Sequence, residues 1–337
     1  MSEKVITSYK GFDKNMQCRD FQYEVGKEYN MDGEIKCCNR GFHACKSPLE
    51  VWNYYDMLKS RYAEVEQSGK IDEEEKSTKV CSSHIKIKAE LKLADIINIG
   101  VEWLKDITSP SKVKTDGVLN DNGDRKKQIG SSGDYAKIGS SGDYAKIGSS
   151  GGYAQIGSSG YSAQIGSSGY SAQIGSSGDY AQIGSSGDYA QIGSSGDSAK
   201  IGSSGDYAKI GSSGYSAKIG SSGDSAKIGS SGDSAKIGSS GGYAQIGSSG
   251  YSAQIGSSGD SAKIDSTGED SVIMCAGNSS RAKAKVGSWI TLAEWKWSNE
   301  KKRDVPVCVK TEYVDGENIK ANTWYQLENR KFVEVTD

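Results

Sequence analysis

Isoleucine recurs every nine residues from Ile129 through Ile138, Ile147 and Ile156 to Ile264, with Ile273 still in phase. From Ala136 to Ala262 an alanine stands two positions before each isoleucine, and the unit reads Ala-Lys/Gln-Ile-Gly-Ser-Ser-Gly-Asp/Tyr-Tyr/Ser. A fixed short period with glycine punctuation is the signature of a solenoid. A disordered Gly/Ser linker has no reason to keep one Ile and one Ala in every unit. In an extended strand Ala136 and Ile138 share one side while Tyr135 and Lys137 take the other, so the interior is predicted to be Ala and Ile. Gly-Ser-Ser-Gly is the corner, where glycine is expected at positive φ and serine hydroxyls satisfy backbone groups left out of the ladder. Nine residues are too few to encircle a core. Two units per coil give about eight coils and, at ~4.8 Å per stacked strand, a rod of roughly 38 Å.

The fold class predicted is therefore mainly β: a parallel β-solenoid over 129–286, flanked by a small α+β domain over 1–115 and a Trp-containing β-strand cap over 287–337, with 116–128 as a linker or capping coil. In the first domain Val5–Tyr9, Phe21–Tyr29, Arg61–Glu66 and His84–Leu93 read as strands. Ser47-Pro48-Leu49-Glu50 reads as an N-cap, first-turn proline and capping-box glutamate, opening a helix Pro48–Leu58 that presents Val51, Tyr54, Tyr55 and Leu58. Ala94–Ile107 reads as a second amphipathic helix. After Ile273 the repeat loses register at Met274–Ser280. Trp289–Trp297, Pro306–Tyr313, Trp324–Leu327 and Lys331–Val335 then read as strands that close the open end of the ladder, which would otherwise polymerise. Trp289, Trp295 and Trp297 share one parity, as an aromatic plug over the last coil or as a partner patch.

Composition changes this picture little. The 44 glycines are concentrated in the repeat, while the tryptophans, cysteines and histidines lie outside it. A net charge of -2 removes the electrostatic case for nucleic acid. No stretch approaches the ~18 to 20 apolar residues of a membrane span, and Met1–Gly11 lacks the regions of a signal peptide. Seven cysteines, including the adjacent Cys37 and Cys38, suit a reducing compartment. The expected location is the cytoplasm.

The chemistry-bearing candidates are few. Calcium-binding β-rolls also use nonapeptides, but here the single acidic site of each unit, as at Asp134, Asp143 and Asp179, is replaced by Gly152, Tyr161, Tyr170, Tyr215, Gly242 and Tyr251 with no other change. That does not make a six- to eight-oxygen cage. The nine aspartates between Ile129 and Ile264 are nearly balanced by eight lysines, which argues against DNA mimicry. Cys38, His43 and Cys45 are the weak metal candidates, at a spacing that fits no common zinc module. No cofactor is called for. What the rod exposes is a ladder of Tyr, Ser, Gln and Lys, with Tyr135, Tyr144, Tyr153, Tyr180, Tyr189 and Tyr207, together with Trp295 and Trp297, as the candidate partner-binding residues. Tyrosine offers large contact area at small entropic cost. The alternative is that each tyrosine only stacks on the next coil.

The segments Tyr9-Lys10-Gly11-Phe12, Cys18 to Gly26, Gly41-Phe42-His43-Ala44-Cys45 and Ser60 to Glu66 resemble the N-terminal domain of phage and prophage proteins that carry Gly, Ser, Ala and Tyr repeats behind it and a Trp-rich end. That resemblance implies a provenance, with the bacterial host cell or the virion as location, and no activity. The order of an early strand, the Gly-Phe-His-Ala segment, a helix and a late strand also resembles ADP-ribosyltransferase-like folds. This implies His43, Tyr62 and Glu64 as catalytic residues, but such enzymes place an Arg or His on the first strand, where Ser8, Tyr9 and Lys10 stand here. Two function classes follow: a non-enzymatic interaction protein whose rigid solenoid binds a protein partner such as a host or defence factor, and an enzyme in the first domain with the solenoid as spacer. A virion structural component is a third. Self-association through the solenoid face or the cap is open to all three.

Overall fold

The computed structural model describes residues 4–74, 77–107, 118–120 and 128–336. The chain divides into two compact units between Leu104 and Lys105.

The first unit is a five-stranded antiparallel sheet of β1 (Ile6–Phe12), β2 (Glu28–Asn30), β3 (Phe42–Cys45), β4 (Arg61–Glu73) and β5 (Lys79–Leu91). It is followed by helix α1 (Leu93–Ile107). β1 pairs with β4 along its whole length, β4 with β5, β5 with β3, and β3 returns to β1 at Tyr9↔Cys45, so the pairings close a ring. Closure leaves only the short strand β2, which pairs with β5 alone, with a free edge that could template aggregation. Phe12, Phe42, Ala63, Val65, Ile85 and Ile87 fill one core cluster. Ser8 Oγ donates to Gln67 Oε1 at 2.6 Å, and Gln67 Nε2 donates to Phe42 O at 2.7 Å and to Ser82 Oγ at 3.0 Å. These buried polar groups are satisfied by one another, which is what makes their burial tolerable.

Two local expectations fail for identifiable reasons. The helix Pro48–Leu58 shrinks to a 3-10 turn, Leu49–Asn53, because Glu50 accepts from the Thr78 amide and hydroxyl instead of capping, and Asp56 Oδ1 captures the amides of Leu58 and Lys59. The strand Phe21–Tyr29 is broken: Phe21–Gln22 folds back on Gln17–Cys18, and Gly26 at φ 85° turns the chain into β2.

In the second unit each repeat strand pairs in parallel with the strand two units on, as Lys137↔Gln155, Ile138↔Ile156 and Ser140↔Ser158. Successive units therefore alternate between two sheets, and a coil is two units, as predicted. Each sheet carries ten parallel strands before its antiparallel end. Ten stacked strands span about nine turns, one more than the eight expected, because Val118–Asn120 already pairs with Lys137–Gly139 inside the segment expected to be linker. The remainder of 116–128 lies outside the described residues, apart from Gln128.

The interior column is Ala, Ile and also the first serine of each Ser-Ser pair: Ala154, Ile156 and Ser158 are all fully buried. The corner glycines do not sit at positive φ, contrary to expectation. Their requirement is steric, since Gly160 lies against the carbonyl of Gly142 one coil below. The corner itself changes partway along the rod. In early coils Tyr153 N–H donates back to Asp134 O at 2.7 Å. In later coils the residue at this position has positive φ, as at Tyr207 (57°) and Ser225 (56°), and its N–H points forward, Ser225 to Gly242 O at 2.8 Å. The reversal falls between Tyr189 and Tyr207 on one edge and between Ser216 and Ser234 on the other.

The C-terminal end is closed by antiparallel hairpins. Trp289–Ser298 continues one ladder in parallel with Val272–Cys275 and then pairs antiparallel with Arg303–Tyr313, while Trp324–Glu328 and Lys331–Val335 close the other. The outer strand Arg303–Tyr313 carries Pro306 and Lys310, which blunt an exposed edge. The plug over the last coil is Ile290, Leu292, Val314, Ile319, Tyr325 and Leu327 rather than tryptophan.

Candidate functional site

Because coils stack at a fixed rotation, equivalent corner residues form two columns, one on each edge of the rod. Tyr135, Tyr153, Tyr189 and Tyr207 stand at equivalent positions on one edge, and Tyr170, one residue earlier in its unit, fills the coil between Tyr153 and Tyr189. Tyr144, Tyr161 and Tyr180 occupy three consecutive coils on the other. The two alternatives raised for these side chains coexist. Tyr135 stacks on Tyr153 at 5.3 Å and Tyr189 on Tyr207 at 5.4 Å, nearly parallel, while Tyr161 meets Tyr180 at 5.1 Å and Tyr170 meets Tyr189 at 5.0 Å. Stacking orders the rings yet leaves each of these tyrosines between 41% and 62% exposed. Beyond Tyr207 the column is interrupted by Ser225 before Tyr243. The corner aspartates serve the stack itself, as Asp224 Oδ1 accepts from Gly242 N–H at 2.7 Å.

The three cap tryptophans differ in exposure and in contacts. A register shift between Glu294 and Trp295 leaves Val307 of the partner strand unpaired, since Glu294 pairs with Cys308 and Trp295 with Pro306. Trp295 is half-buried and donates Nε1–H to Ala276 O at 2.9 Å, Trp297 is 60% exposed, and Trp289 packs on Tyr313.

The first unit holds a second candidate, a cavity of about 710 Å³ lined by Lys10, Cys18, Tyr23, His43, Tyr55 and Lys79 among others. Its walls come from the segments Tyr9–Phe12, Cys18–Tyr23 and Gly41–Cys45, which sequence singled out only as motifs. Gly11 is required there because a methyl group would lie 2.3 Å from the Tyr55 ring, and Gly41, at φ 131°, leaves room for Cys81 Sγ. Lys10 is 3% exposed. Its Nζ donates to His43 O at 3.0 Å and reaches Tyr55 Oη at 3.4 Å, with the rings of Phe12, Tyr23 and Tyr55 5.4 to 5.8 Å away. Burial pushes the Lys10 amine below its ordinary pKa, opposed by the thiols of Cys18 and Cys45 and assisted by the charge of Arg19. Burial likewise pushes the Tyr55 and Tyr23 hydroxyls and the Cys45 thiol upward, so they stay protonated at neutral pH.

His43 lines this cavity, but Tyr62 and Glu64 do not. Tyr62 is buried and donates its hydroxyl to Asp56 O at 2.9 Å. Glu64 sits opposite Tyr9 on β4. The three residues implied by the transferase resemblance are thus not assembled into one site. Nor are Cys38, His43 and Cys45 assembled around a metal: His43 Nε2 accepts from the Cys38 amide at 3.0 Å, which occupies the lone pair a metal would need. Burial lowers the His43 pKa, keeping the ring neutral. Among the described residues no three His, Cys, Asp or Glu side chains are disposed to hold a metal ion. A lysine on a strand carries no signal of burial, so the sequence does not mark Lys10 as a site residue.

Residues 6–99 match a family described as a domain of unknown function (DUF7666). No curated protein and no solved structure matches the chain.

Proposed function

We propose that the protein is a non-enzymatic interaction protein of phage or prophage type, acting in the cytoplasm of a bacterial host cell, whose rigid solenoid binds a protein partner along its tyrosine-bearing edge. The observation that carries this reading is a tyrosine in each of five consecutive coils on one edge, Tyr135, Tyr153, Tyr170, Tyr189 and Tyr207, ordered by ring contacts between Tyr135 and Tyr153 and from Tyr170 through Tyr189 to Tyr207, and still exposed to solvent. Pre-ordered aromatic rings lose little entropy on binding, and large amphipathic rings dominate protein interfaces. Among the described residues no helix is long and apolar enough to cross a membrane, which fits a protein that meets its partner away from the bilayer.

The repeat itself provides the test, since it uses Ser and Asp at the same corner positions in other units. A chain carrying Tyr135→Ser, Tyr153→Ser, Tyr170→Asp, Tyr189→Ser and Tyr207→Ser has at each changed position a residue that other units use there. It is compared with the parent, and with Tyr144→Ser, Tyr161→Asp and Tyr180→Ser on the opposite edge, in affinity capture from bacterial lysate followed by mass spectrometry. A partner lost from the first variant alone, with circular dichroism unchanged, supports the reading. Equal capture by all three chains counts against it.

A further inference from the structure

The motif segments of the first unit converge on one buried amine that the solenoid-based function leaves unused. Lys10 Nζ lies at the wall of a cavity of about 710 Å³ and forms no ion pair with a carboxylate among the described residues; its contacts are a carbonyl, a phenol, thiols and three aromatic faces. A lysine kept from water without a counter-ion costs several kcal/mol, and structural needs alone do not explain it on a strand whose neighbours are apolar. Nothing about the ring of strands requires it, since a methionine of similar length would fill the same space.

We propose that Lys10 is the reactive amine of a small-molecule site that takes an aldehyde or ketone bearing an aromatic or planar group, which it holds as a Schiff base. The step is balanced within the site. Nζ attacks the carbonyl carbon, the C–O π pair moves to oxygen and takes up a proton, and the resulting carbinolamine loses its oxygen as water, leaving an imine between Lys10 and the former carbonyl carbon. The two hydrogens of the amine leave with that water, so no oxidant or reductant is needed. Tyr55 is placed to deliver the proton: its hydroxyl is 3.4 Å from Nζ and 2.9 Å from Cys18 Sγ. Burial supports the attack, since it favours an uncharged amine at Lys10, and the role of Tyr55 rests on its position beside that amine. The rings of Phe21, Tyr23 and Tyr54 in the lining supply apolar faces for the planar group.

The test uses the full chain with benzaldehyde as probe and cyanoborohydride to trap the imine at pH 7, followed by peptide mass mapping. Ordinary lysines are protonated at this pH, so the expected result is one dominant secondary amine at Lys10, on the order of tenfold above any other lysine. The preference should disappear in denaturing urea. Tyr55→Phe should slow trapping at Lys10 about tenfold or more while the native circular dichroism spectrum is retained. Labelling spread over exposed lysines with Lys10 unmodified overturns the proposal, and an unchanged rate in a folded Tyr55→Phe chain overturns the role given to Tyr55. Because the wild-type chain carries the main measurement, a Lys10 variant that fails to fold does not weaken it.

Discussion

Gly151 rests against the carbonyl oxygen of Gly133 in the coil below, so closely that a methyl group on Gly151 would lie 1.9 Å from that oxygen. The same approach repeats up the rod, as Gly169 on Gly151 and Gly187 on Gly169. The strand glycines of one sheet are different: around Gly148, Gly166 and Gly184 a methyl group would meet nothing within 4 Å. Two glycines in one unit therefore answer to different demands, and only one of them to the stacking distance.

Gly187→Ala should accordingly lower stability by roughly 1–3 kcal/mol, because the corner must open against its neighbour. Gly184→Ala should be neutral or stabilise by about 0.5 kcal/mol, because alanine loses less backbone freedom in a strand. Urea unfolding of the two variants decides the point. Equal effects would mean that the corner stacking does not set the glycine requirement.

The reversal of the corner peptide gives a second contrast on chemically identical units. Ser234 has φ 55°, whereas Ser198, two coils earlier on the same edge, does not enter that region. Glycine at Ser198 should cost about 0.4–1 kcal/mol through the unfolded chain. At Ser234 relief of the left-handed strain, about 1–2 kcal/mol, offsets that cost. Ser198→Gly should thus melt lower than Ser234→Gly; the opposite order would count against a change of corner along the rod.

Much of the solenoid is legible in the sequence because its determinants are local and repeated: the spacing of Ile138 and Ile156 states the coil, and the parity of Ala154, Ile156 and Ser158 states the interior. What parity cannot state is pairing. The register shift that leaves Val307 unpaired opposite Glu294 and Trp295 has no signature in the Trp-Lys-Trp spacing. The first unit is less legible for the opposite reason. Glu50 looks like a capping residue until Thr78 is brought beside it, and Lys10 looks like a surface residue until segments from Cys18, Gly41 and Tyr55 enclose it. Glu50 meets Thr78 and Lys10 meets His43 across more than 25 residues of sequence, where no period speaks.

Acid should act on the first unit through Glu73. Lys4 and Lys46 hold its carboxyl well below the ordinary value of 4.5, at about 2, by ion pairs at 2.8 and 2.6 Å. A carboxyl with a depressed folded pKa binds protons more readily when unfolded. Its contribution is therefore complete above about pH 4.5 and is lost as the pH falls towards 2. Both the pairs and the carboxyl are partly exposed, so salt should weaken the effect. The urea midpoint of the parent should fall more steeply between pH 5 and pH 2.5 than that of Glu73→Gln. Parallel curves would remove Glu73 from the acid response.

Deletion within the rod tests the architecture as a whole. Because Gln182 pairs with Lys200 and Ile183 with Ile201, removing residues 183–200 joins Gln182 to Ile201 in the register it already occupies. The sheets keep their order, one coil is lost, and the cap hairpins meet the same two ladders. Removing nine residues, 183–191, instead moves every later strand to the opposite sheet. Trp289–Ser298, which must continue the ladder ending at Val272–Cys275, would then be displaced from the ladder it now extends towards the N-terminus. The longer deletion should therefore be the milder one, with cooperative melting close to that of the parent, since each coil contacts only its neighbours. The shorter deletion should melt lower or broaden the transition. If both melted alike, the alternation of units between two sheets could not be what holds the rod together.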